Sequence, residues 1–179
     1  MTKDCEVLVG VSGGIAAYKT AAMVSTLVQS GIGVSVLMTK ASQEFIGKAT
    51  FAALTGRTVS DSFDPQSHPV GSHITLARQA AVFCIAPATA NCIAKLAHGI
   101  ADDLLSTVYI CFTGKVIVAP AMNCEMWEKA AVQRNIEQIK KDGVEVVGPE
   151  AGWLSCRQVG HGRMSDPETI IQSINQSFA

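Results

Sequence analysis

The sequence predicts an α/β fold in which a parallel β-sheet lies between two layers of helices. Short apolar runs rich in valine and isoleucine alternate with longer segments of helical periodicity, which is the pattern of consecutive βαβ units. Runs without polar alternation are expected for parallel strands that are covered on both faces. The predicted strands are residues 6–11, 34–38, 82–86, 115–119 and 144–147.

Helices are predicted between these strands. Gly31 and Gly56 follow the first two and are typical helix C-caps. A polar stretch, residues 60–72, contains Pro65, His68 and Pro69 and is predicted to be a surface loop. The predicted helices are residues 15–29, 41–54 and 93–98, one that opens at 99–105, one that ends near residue 141, and one that begins at 166–167.

A glycine turn, Ser12-Gly13-Gly14, follows the first strand and precedes a helix. Glycines let the backbone approach a phosphate, and a helix N-terminus favours an anion. The turn is not Gly-x-Gly-x-x-Gly, and the second strand is followed by Thr39-Lys40, without an acid to hold a ribose. The pattern therefore disfavours a nicotinamide cofactor. A mononucleotide such as FMN and a simple tight turn both remain open.

The composition limits the function classes. The chain has 179 residues, of which 48% are hydrophobic and 16% charged, so we expect one domain, residues 1–179, that buries much of its surface. The net charge of −1 gives no basic surface for nucleic acid or a membrane. The six cysteines form no Cys-x-x-Cys pair, and neither a signal peptide nor a spanning segment is recognisable. We therefore expect no metal site and a reducing, cytoplasmic location.

Two strand-to-helix turns carry side chains that local structure does not require. Residues 120–127 include Asn123 and Met126, and such turns lie where α/β sheets bind ligands. Thr89 and Asn91 open another helix beside free backbone N–H groups, which is a possible anion cradle. Helix capping and core packing are the simpler interpretation of both turns.

Residues 148–164 contain four glycines and are predicted to form a flexible flap without its own core. This segment holds Cys156, with Arg157 and Arg163 nearby. Cationic neighbours favour a thiolate or hold an anionic substrate.

Together these segments resemble the flavin-dependent cysteine decarboxylase family over nearly the whole chain. Each motif is weak alone, and their order and spacing carry the resemblance. The motifs are Ser12-Gly-Gly-Ile-Ala-Ala-Tyr-Lys19, His73-Ile-Thr-Leu76, Ala86-Pro-Ala-Thr-Ala-Asn91, Ala94-Lys-Leu-Ala-His-Gly-Ile-Ala-Asp-Asp-Leu-Leu105, Pro120-Ala-Met-Asn-Cys-Glu-Met-Trp127, Gly152-Trp-Leu-Ser-Cys156 and Gly160-His-Gly-Arg-Met164.

The resemblance implies a Rossmann-like, flavodoxin-like subunit that assembles as a homotrimer or a dodecamer of trimers, with FMN at the subunit interface. The implied cofactor-binding residues are Gly13, Gly14, Ile15, Thr39, Thr89, Ala90, Asn91 and Ala121. The implied catalytic residues are His73, Asn123 and Cys156, and we assign substrate binding to Asn123, Met126 and Arg163.

The implied activity is FMN-dependent decarboxylation of 4′-phospho-N-pantothenoylcysteine to 4′-phosphopantetheine in coenzyme A synthesis. FMN would oxidise the thiol-bearing carbon so that the carboxylate can leave. His73 would handle the thiol proton, Asn123 would orient the carboxylate, and Cys156 would return a proton as the product is reduced. We expect a separate phosphopantothenate–cysteine ligase to supply the substrate.

Three other functions are compatible with a related fold. An oxidative peptidyl-cysteine decarboxylase stops at the enethiol and needs no acid such as Cys156. A non-catalytic flavoprotein that regulates a phosphatase could keep both fold and flavin. A flavin prenyltransferase should lack the 120–127 segment and the cysteine flap. Two residues depart from the family pattern: Arg157 replaces a glycine, and Cys92 replaces a threonine.

Overall fold

Strands and helices alternate as predicted in the computed structural model, which describes residues 7–63 and 71–178. The main strands are β1 (Val7–Val11), β2 (Val34–Met38), β3 (Val82–Ala88), β4 (Lys115–Pro120) and β5 (Glu145–Val146), and a hairpin is formed by β6 (Glu150–Trp153) and β7 (Val159–Arg163). The helices are α1 (Ala17–Gln29), α2 (Lys48–Thr55), α3 (Ser72–Gln79), α4 (Ala90–His98), α5 (Leu104–Cys111), α6 (Cys124–Trp127), α7 (Ala130–Lys141) and α8 (Pro167–Gln176), with a 3-10 helix at Lys40–Glu44.

The main sheet is parallel, with the strand order β2-β1-β3-β4-β5. This is the flavodoxin-like order, so the predicted fold class is confirmed. The chain adds β2 on one side of β1 and β3 on the other. Ligands of such sheets bind beyond the carboxyl ends of the strands at this reversal. The turns after β1 and β3 are therefore the expected place for a site.

Side-chain alternation along the strands divides the core into two halves. Val7 and Val9 of β1 pack on the face that α1, α2 and α8 cover. Leu8 lies between them in sequence and packs on the opposite face, with side chains of α3, α4, α5 and α7. All three side chains are fully buried. The sheet is therefore covered on both faces, which explains its nearly continuous apolar strands.

The single helix predicted for residues 41–54 is wrong in part. The chain forms the 3-10 helix first, and α2 begins only at Lys48. Gly47 separates them in an extended conformation, with φ −79° and ψ 149°. Thr39 caps the 3-10 helix by accepting a hydrogen bond from the Ser42 N–H. The 3-10 helix therefore begins separately from α2. The predicted end at Gly56 is confirmed, since this residue has φ +67°.

The segment predicted as an irregular flap is instead an antiparallel hairpin. Strands β6 and β7 pair from Trp153↔Val159 to Glu150↔Arg163. Its glycines allow the hairpin to pack closely on neighbouring residues, and Gly160 lies directly against Cys124. The prediction of an irregular segment is wrong, because the glycines here lie in paired strands, where they admit close neighbours.

Some predictions fall on residues 1–6 or 64–70, which lie outside the described residues: the start of the first strand at Glu6, and the loop residues Pro65, His68 and Pro69. Within 7–63 and 71–178, no helix has the length and apolar character needed to cross a bilayer.

Candidate functional site

The turns after β1 and β3 are joined through one buried hydroxyl. The Ser12 Oγ donates to the Pro87 carbonyl oxygen at 2.7 Å and accepts from the Thr89 N–H at 3.0 Å. Thr89 caps α4 by accepting from the Cys92 N–H at 3.2 Å. Gly13 is sterically required, because a Cβ there would lie 2.7 Å from the Cβ of Ala41. The two loops and the start of the 3-10 helix therefore form one rigid rim.

This rim borders a cavity of about 460 Å³, which we call cavity A. The backbone N–H groups of Ala90 and Asn91 belong to the first turn of α4, where no intrahelical acceptor exists. The positive end of the helix dipole lies there as well, so an anion is favoured. Residues that line cavity A include Ser12, Gly13, Thr39, Thr89, Ala90, Asn91, Lys95 and Met126.

Of the two lysines that line cavity A, Lys40 and Lys95, the second is already paired. Lys95 contacts Asp102 at 2.6 Å and Asp103 at 2.7 Å. Burial opposes its charge, but the hydrogen bonds to both aspartates outweigh it and raise the pKa of Lys95. The neighbouring Cys92 is an inert thiol, since burial raises its pKa to about 12. An anion in cavity A would therefore meet backbone N–H groups and the exposed Lys40 rather than Lys95.

A second cavity of about 450 Å³, which we call cavity B, lies on the other side of the 120–127 segment. Asn123 lines this cavity and caps α6, with its Oδ1 accepting from the Met126 N–H at 2.8 Å. The cap fixes the amide and leaves its NH₂ group to donate to a ligand. Residues that line cavity B include Ile15, Tyr18, Lys19, Ala121, Asn123, Trp153, Ser155 and Arg163.

Two cations of cavity B share one carboxylate. Lys19 Nζ donates to Asp166 Oδ1 at 2.8 Å and to the Met164 carbonyl oxygen at 3.0 Å. Arg163 donates to both oxygens of Asp166, at 2.7 and 2.9 Å. Hydrogen bonds first from Lys19 and then from Arg163 hold the pKa of Asp166 below its usual value. These three groups leave one net positive charge beside cavity B.

Neither His73 nor Cys156 lines cavity A or cavity B, although Ser155, next to Cys156, lines cavity B. His73 is on α3, where its ring meets Phe63 edge to face with centroids 5.8 Å apart. Its buried Nδ1 has no hydrogen-bond partner among the residues that the structure describes. Cys156 is exposed in the hairpin turn, where the Arg157 N–H donates to the Leu154 carbonyl oxygen at 2.9 Å. Arg157 adopts the left-handed φ of +66° that glycine usually occupies.

The structure thus brings together most of the predicted site residues, in two neighbouring groups. Gly13, Thr39, Thr89, Ala90, Asn91 and Met126 line cavity A, whereas Ile15, Ala121, Asn123 and Arg163 line cavity B. Gly14 lies between Gly13 and Ile15 in the turn that separates the cavities. Lys19 and Trp153 also line cavity B, although neither is among the predicted site residues. Both lie inside motifs quoted for the resemblance, which is the signal that could have found them.

The family model "Flavoprotein" matches residues 1–179. The chain belongs to this flavoprotein family. Similar curated proteins include the coenzyme A biosynthesis bifunctional protein CoaBC of Bacillus subtilis (strain 168), 45% identical over 180 residues that cover 100% of this chain and 44% of the relative. The protein of the same description from Escherichia coli (strain K12) is 43% identical over 175 residues, covering 97% and 43%. The chain therefore spans less than half the length of these relatives.

Solved structures of cysteine decarboxylases have the same fold as this flavoprotein. The FMN-dependent cysteine decarboxylase SpaF matches with a TM-score of 0.84 and 31% identity, covering 98% of each chain. A cysteine-to-serine mutant of PPC decarboxylase, complexed with pantothenoylaminoethenethiol, matches with a TM-score of 0.86 and 27% identity, covering 97% of this chain and 98% of that one.

Proposed function

We propose that this flavoprotein catalyses the FMN-dependent decarboxylation of 4′-phospho-N-pantothenoylcysteine to 4′-phosphopantetheine, a step of coenzyme A synthesis. The relatives named for coenzyme A biosynthesis and the neighbouring PPC decarboxylase structure support this substrate. The observation that carries the proposal is the fixed amide of Asn123 in cavity B, one helical turn from Met126 in cavity A. An amide that can donate a hydrogen bond to a carboxylate, close to a cavity large enough for part of a cofactor, supports this activity.

Cavity A fits the phosphate end of FMN. The first N–H groups of α4, at Ala90 and Asn91, would bind the phosphate. Gly13 lets the turn after β1 pack closely against Ala41, because a Cβ there would lie 2.7 Å from the Cβ of Ala41. Ile15 and Ala121 line cavity B and would contact the flavin ring. When bound, FMN supplies the two-electron oxidation of the thiol-bearing carbon and the return of those electrons after CO₂ has left.

Within cavity B, Asn123 would hold the substrate carboxylate through its NH₂ group. Its Oδ1 is engaged by the Met126 N–H, so the amide cannot flip without losing the helix cap. The hydrogen bond to the carboxylate weakens as neutral CO₂ forms. Cys156 would donate the proton that completes the saturated product, and the hairpin that carries it would exclude water from the reacting carbon.

We propose that the working unit is a homotrimer in which a neighbouring subunit supplies His73. Within one subunit this histidine lines neither cavity A nor cavity B. Cavity B is bordered by apolar side chains that one subunit leaves exposed: Ile15 by 57%, Tyr18 by 63% and Trp153 by 65%. A second subunit would cover these side chains and bring a base to the thiol.

The proposal also covers the extent of the domain, the supply of the substrate and the cellular location. We propose that residues 1–179 form one decarboxylase domain, with the 148–164 hairpin as its substrate flap. The substrate contains an amide between phosphopantothenate and cysteine, so a ligase activity must supply it. A cytoplasmic location is supported by cysteines that carry no disulfide: Cys84, Cys92, Cys111, Cys124 and Cys156.

The test is to incubate FMN-loaded protein with 4′-phosphopantothenoylcysteine and to measure the mass of the product. We expect loss of CO₂ alone, giving the saturated thiol. Cys156→Ser should shift the product toward loss of CO₂ plus two hydrogens, because the enethiol is no longer protonated. Purified protein that binds FMN but releases no CO₂ would contradict the proposal. An undiminished yield of saturated thiol from Cys156→Ser would contradict the role of Cys156 alone.

A further inference from the structure

Strand β7 of the hairpin lies directly on the turn that carries Asn123. The Met122 N–H donates to the Gly162 carbonyl oxygen at 2.9 Å, which ties the residue before Asn123 to β7. Gly162 has φ +137°, and a Cβ at this position would overlap the Met122 carbonyl oxygen. This contact therefore requires glycine for both its backbone conformation and its lack of a side chain.

The residue after Asn123 is in contact with the same strand. A Cβ added to Gly160 would lie 2.8 Å from the Cβ of Cys124, a separation that real Cβ atoms essentially never show. Gly160 is not among the residues with positive φ, so only its missing side chain matters. The Cys124 Sγ also donates to Gln158 Oε1 at 3.2 Å. The hairpin thus touches the residues on both sides of Asn123.

We propose that Gly160 is a positioning residue, whose contact with Cys124 lets the hairpin set the place of the Asn123 amide. The inference rests on the proposed function, because it takes Asn123 as the carboxylate-binding group. Asn123 and Cys124 are consecutive, and the Asn123 side chain is fixed to the start of α6 by its cap. A displacement of Cys124 therefore moves the amide too. The position of the hairpin and the recognition of a carboxylate are one coupled property.

The test uses two unreactive ligands that differ only in the carboxylate. The first is 4′-phosphopantothenoylserine, which has a hydroxyl in place of the thiol, and the second is its decarboxylated counterpart. Dissociation constants are measured by calorimetry with the FMN-loaded protein. Gly160→Ala should lower the affinity for the carboxylate ligand about tenfold, as expected when one hydrogen bond to a charged group is impaired. The decarboxylated ligand should bind within about twofold of its wild-type affinity.

A complementary substitution separates this role from a general structural one. Cys124→Gly removes the Cβ that the methyl group added by Gly160→Ala would meet. The double variant Gly160→Ala/Cys124→Gly therefore moves the Cβ from one side of the contact to the other. We expect the affinity of this variant for the carboxylate ligand to return to within about twofold of the wild-type value. Gly47→Ala is the control glycine substitution, because nothing lies within 4 Å of a Cβ there and its φ is −79°. This substitution should leave the affinity for both ligands unchanged.

Equal weakening of both ligands by Gly160→Ala, or no recovery in the double variant, would overturn the inference while leaving the proposed function intact. Wild-type protein that binds neither ligand would overturn the proposed function, and the inference with it. If Gly160→Ala fails to fold, Cys124→Gly alone tests the contact, because it opens a gap beside Gly160. It should weaken only the carboxylate ligand, by about threefold, and an unchanged affinity would count against the inference.

Discussion

Asn123 has two roles that substitution can separate, the helix cap and the proposed carboxylate contact. Serine and aspartate are as effective as asparagine at a helix N-cap, because each offers an oxygen to the N–H that the Asn123 Oδ1 now binds at 2.8 Å. Neither supplies the NH₂ group. Asn123→Ser and Asn123→Asp should therefore keep α6 and the stability of the holoprotein, and should impair only the binding and reaction of a carboxylate substrate.

The size of the effect follows from the group that is lost. A hydrogen bond to a charged acceptor contributes about 1.5–3 kcal/mol, so Asn123→Ser should lower kcat/KM by about 10- to 150-fold. Asn123→Asp loses the same bond and adds a like charge. At roughly 4 Å, with an effective dielectric constant between 20 and 80, that repulsion adds about 1–4 kcal/mol. Aspartate should therefore be the more damaging change, although it is the closer isostere.

Steady-state kinetics with 4′-phosphopantothenoylcysteine measures this order, and urea unfolding of the FMN-loaded proteins checks that the cap is retained. Asn123→Ala is the matched control, since it removes both functions and should lose about 1 kcal/mol of stability as well. A kcat/KM for Asn123→Ser within about twofold of wild type, with the fold intact, would refute the carboxylate contact. Equal activity of the serine and aspartate variants would refute the electrostatic part of the reasoning.

Three further predictions concern the rim, the hairpin turn and the carboxylate of Asp166. Thr89→Ala should lower the free energy of unfolding by about 1 kcal/mol and weaken FMN binding, because the Cys92 N–H loses its cap. Thr89→Ser offers the same hydroxyl and should retain both properties. Urea unfolding and FMN titration measure them. Arg157→Gly should raise the free energy of unfolding by about 0.5–1 kcal/mol, the relief of left-handed strain less the added chain entropy, and thermal unfolding that shows no gain would contradict this. Asp166→Asn should destabilise the protein by about 0.5 kcal/mol at neutral pH. Because Lys19 and Arg163 depress the pKa of Asp166, this difference should be full above about pH 3.9 and fade as the wild-type carboxyl protonates below it, which urea unfolding against pH would reveal.

The sequence was sufficient for the main sheet because burial on both faces leaves a clear trace. Short valine-rich runs such as Val34–Met38 are typical of parallel strands that are covered on both faces of a sheet. Predictions failed where a short-range contact overrode composition. The break before α2 lies at the extended Gly47. It follows a 3-10 helix that begins where Thr39 accepts a hydrogen bond from the Ser42 N–H, inside a stretch for which periodicity alone predicts one helix.

The proposed site could be predicted only from the order of its motifs along the chain. On their residues alone, the turn from Ser12 to Ile15 and the start of α4 fit a tight turn and a helix cap as well as a phosphate site. The pairing of Lys19 with Asp166 could not be predicted, since the two residues are 147 positions apart and each has a plausible local role. The hairpin was missed for a related reason. Glycines that admit Met122 and Cys124 look, in sequence alone, like glycines of an irregular loop.

The proposed function also accounts for the choice of a neutral amide, where two cations stand nearby. Arg163 and Lys19 both line cavity B, yet both are bonded to Asp166. A guanidinium bound directly to the carboxylate would stabilise the charged ground state more than the departing CO₂, which carries no charge, and would raise the barrier. In the proposed function, the Asn123 amide would orient the same group with a weaker bond that is easily lost. In this proposal, Asp166 would keep both cations from competing for the carboxylate. Asp166→Asn should accordingly lower KM and kcat together, and a fall in kcat with KM unchanged would contradict this account.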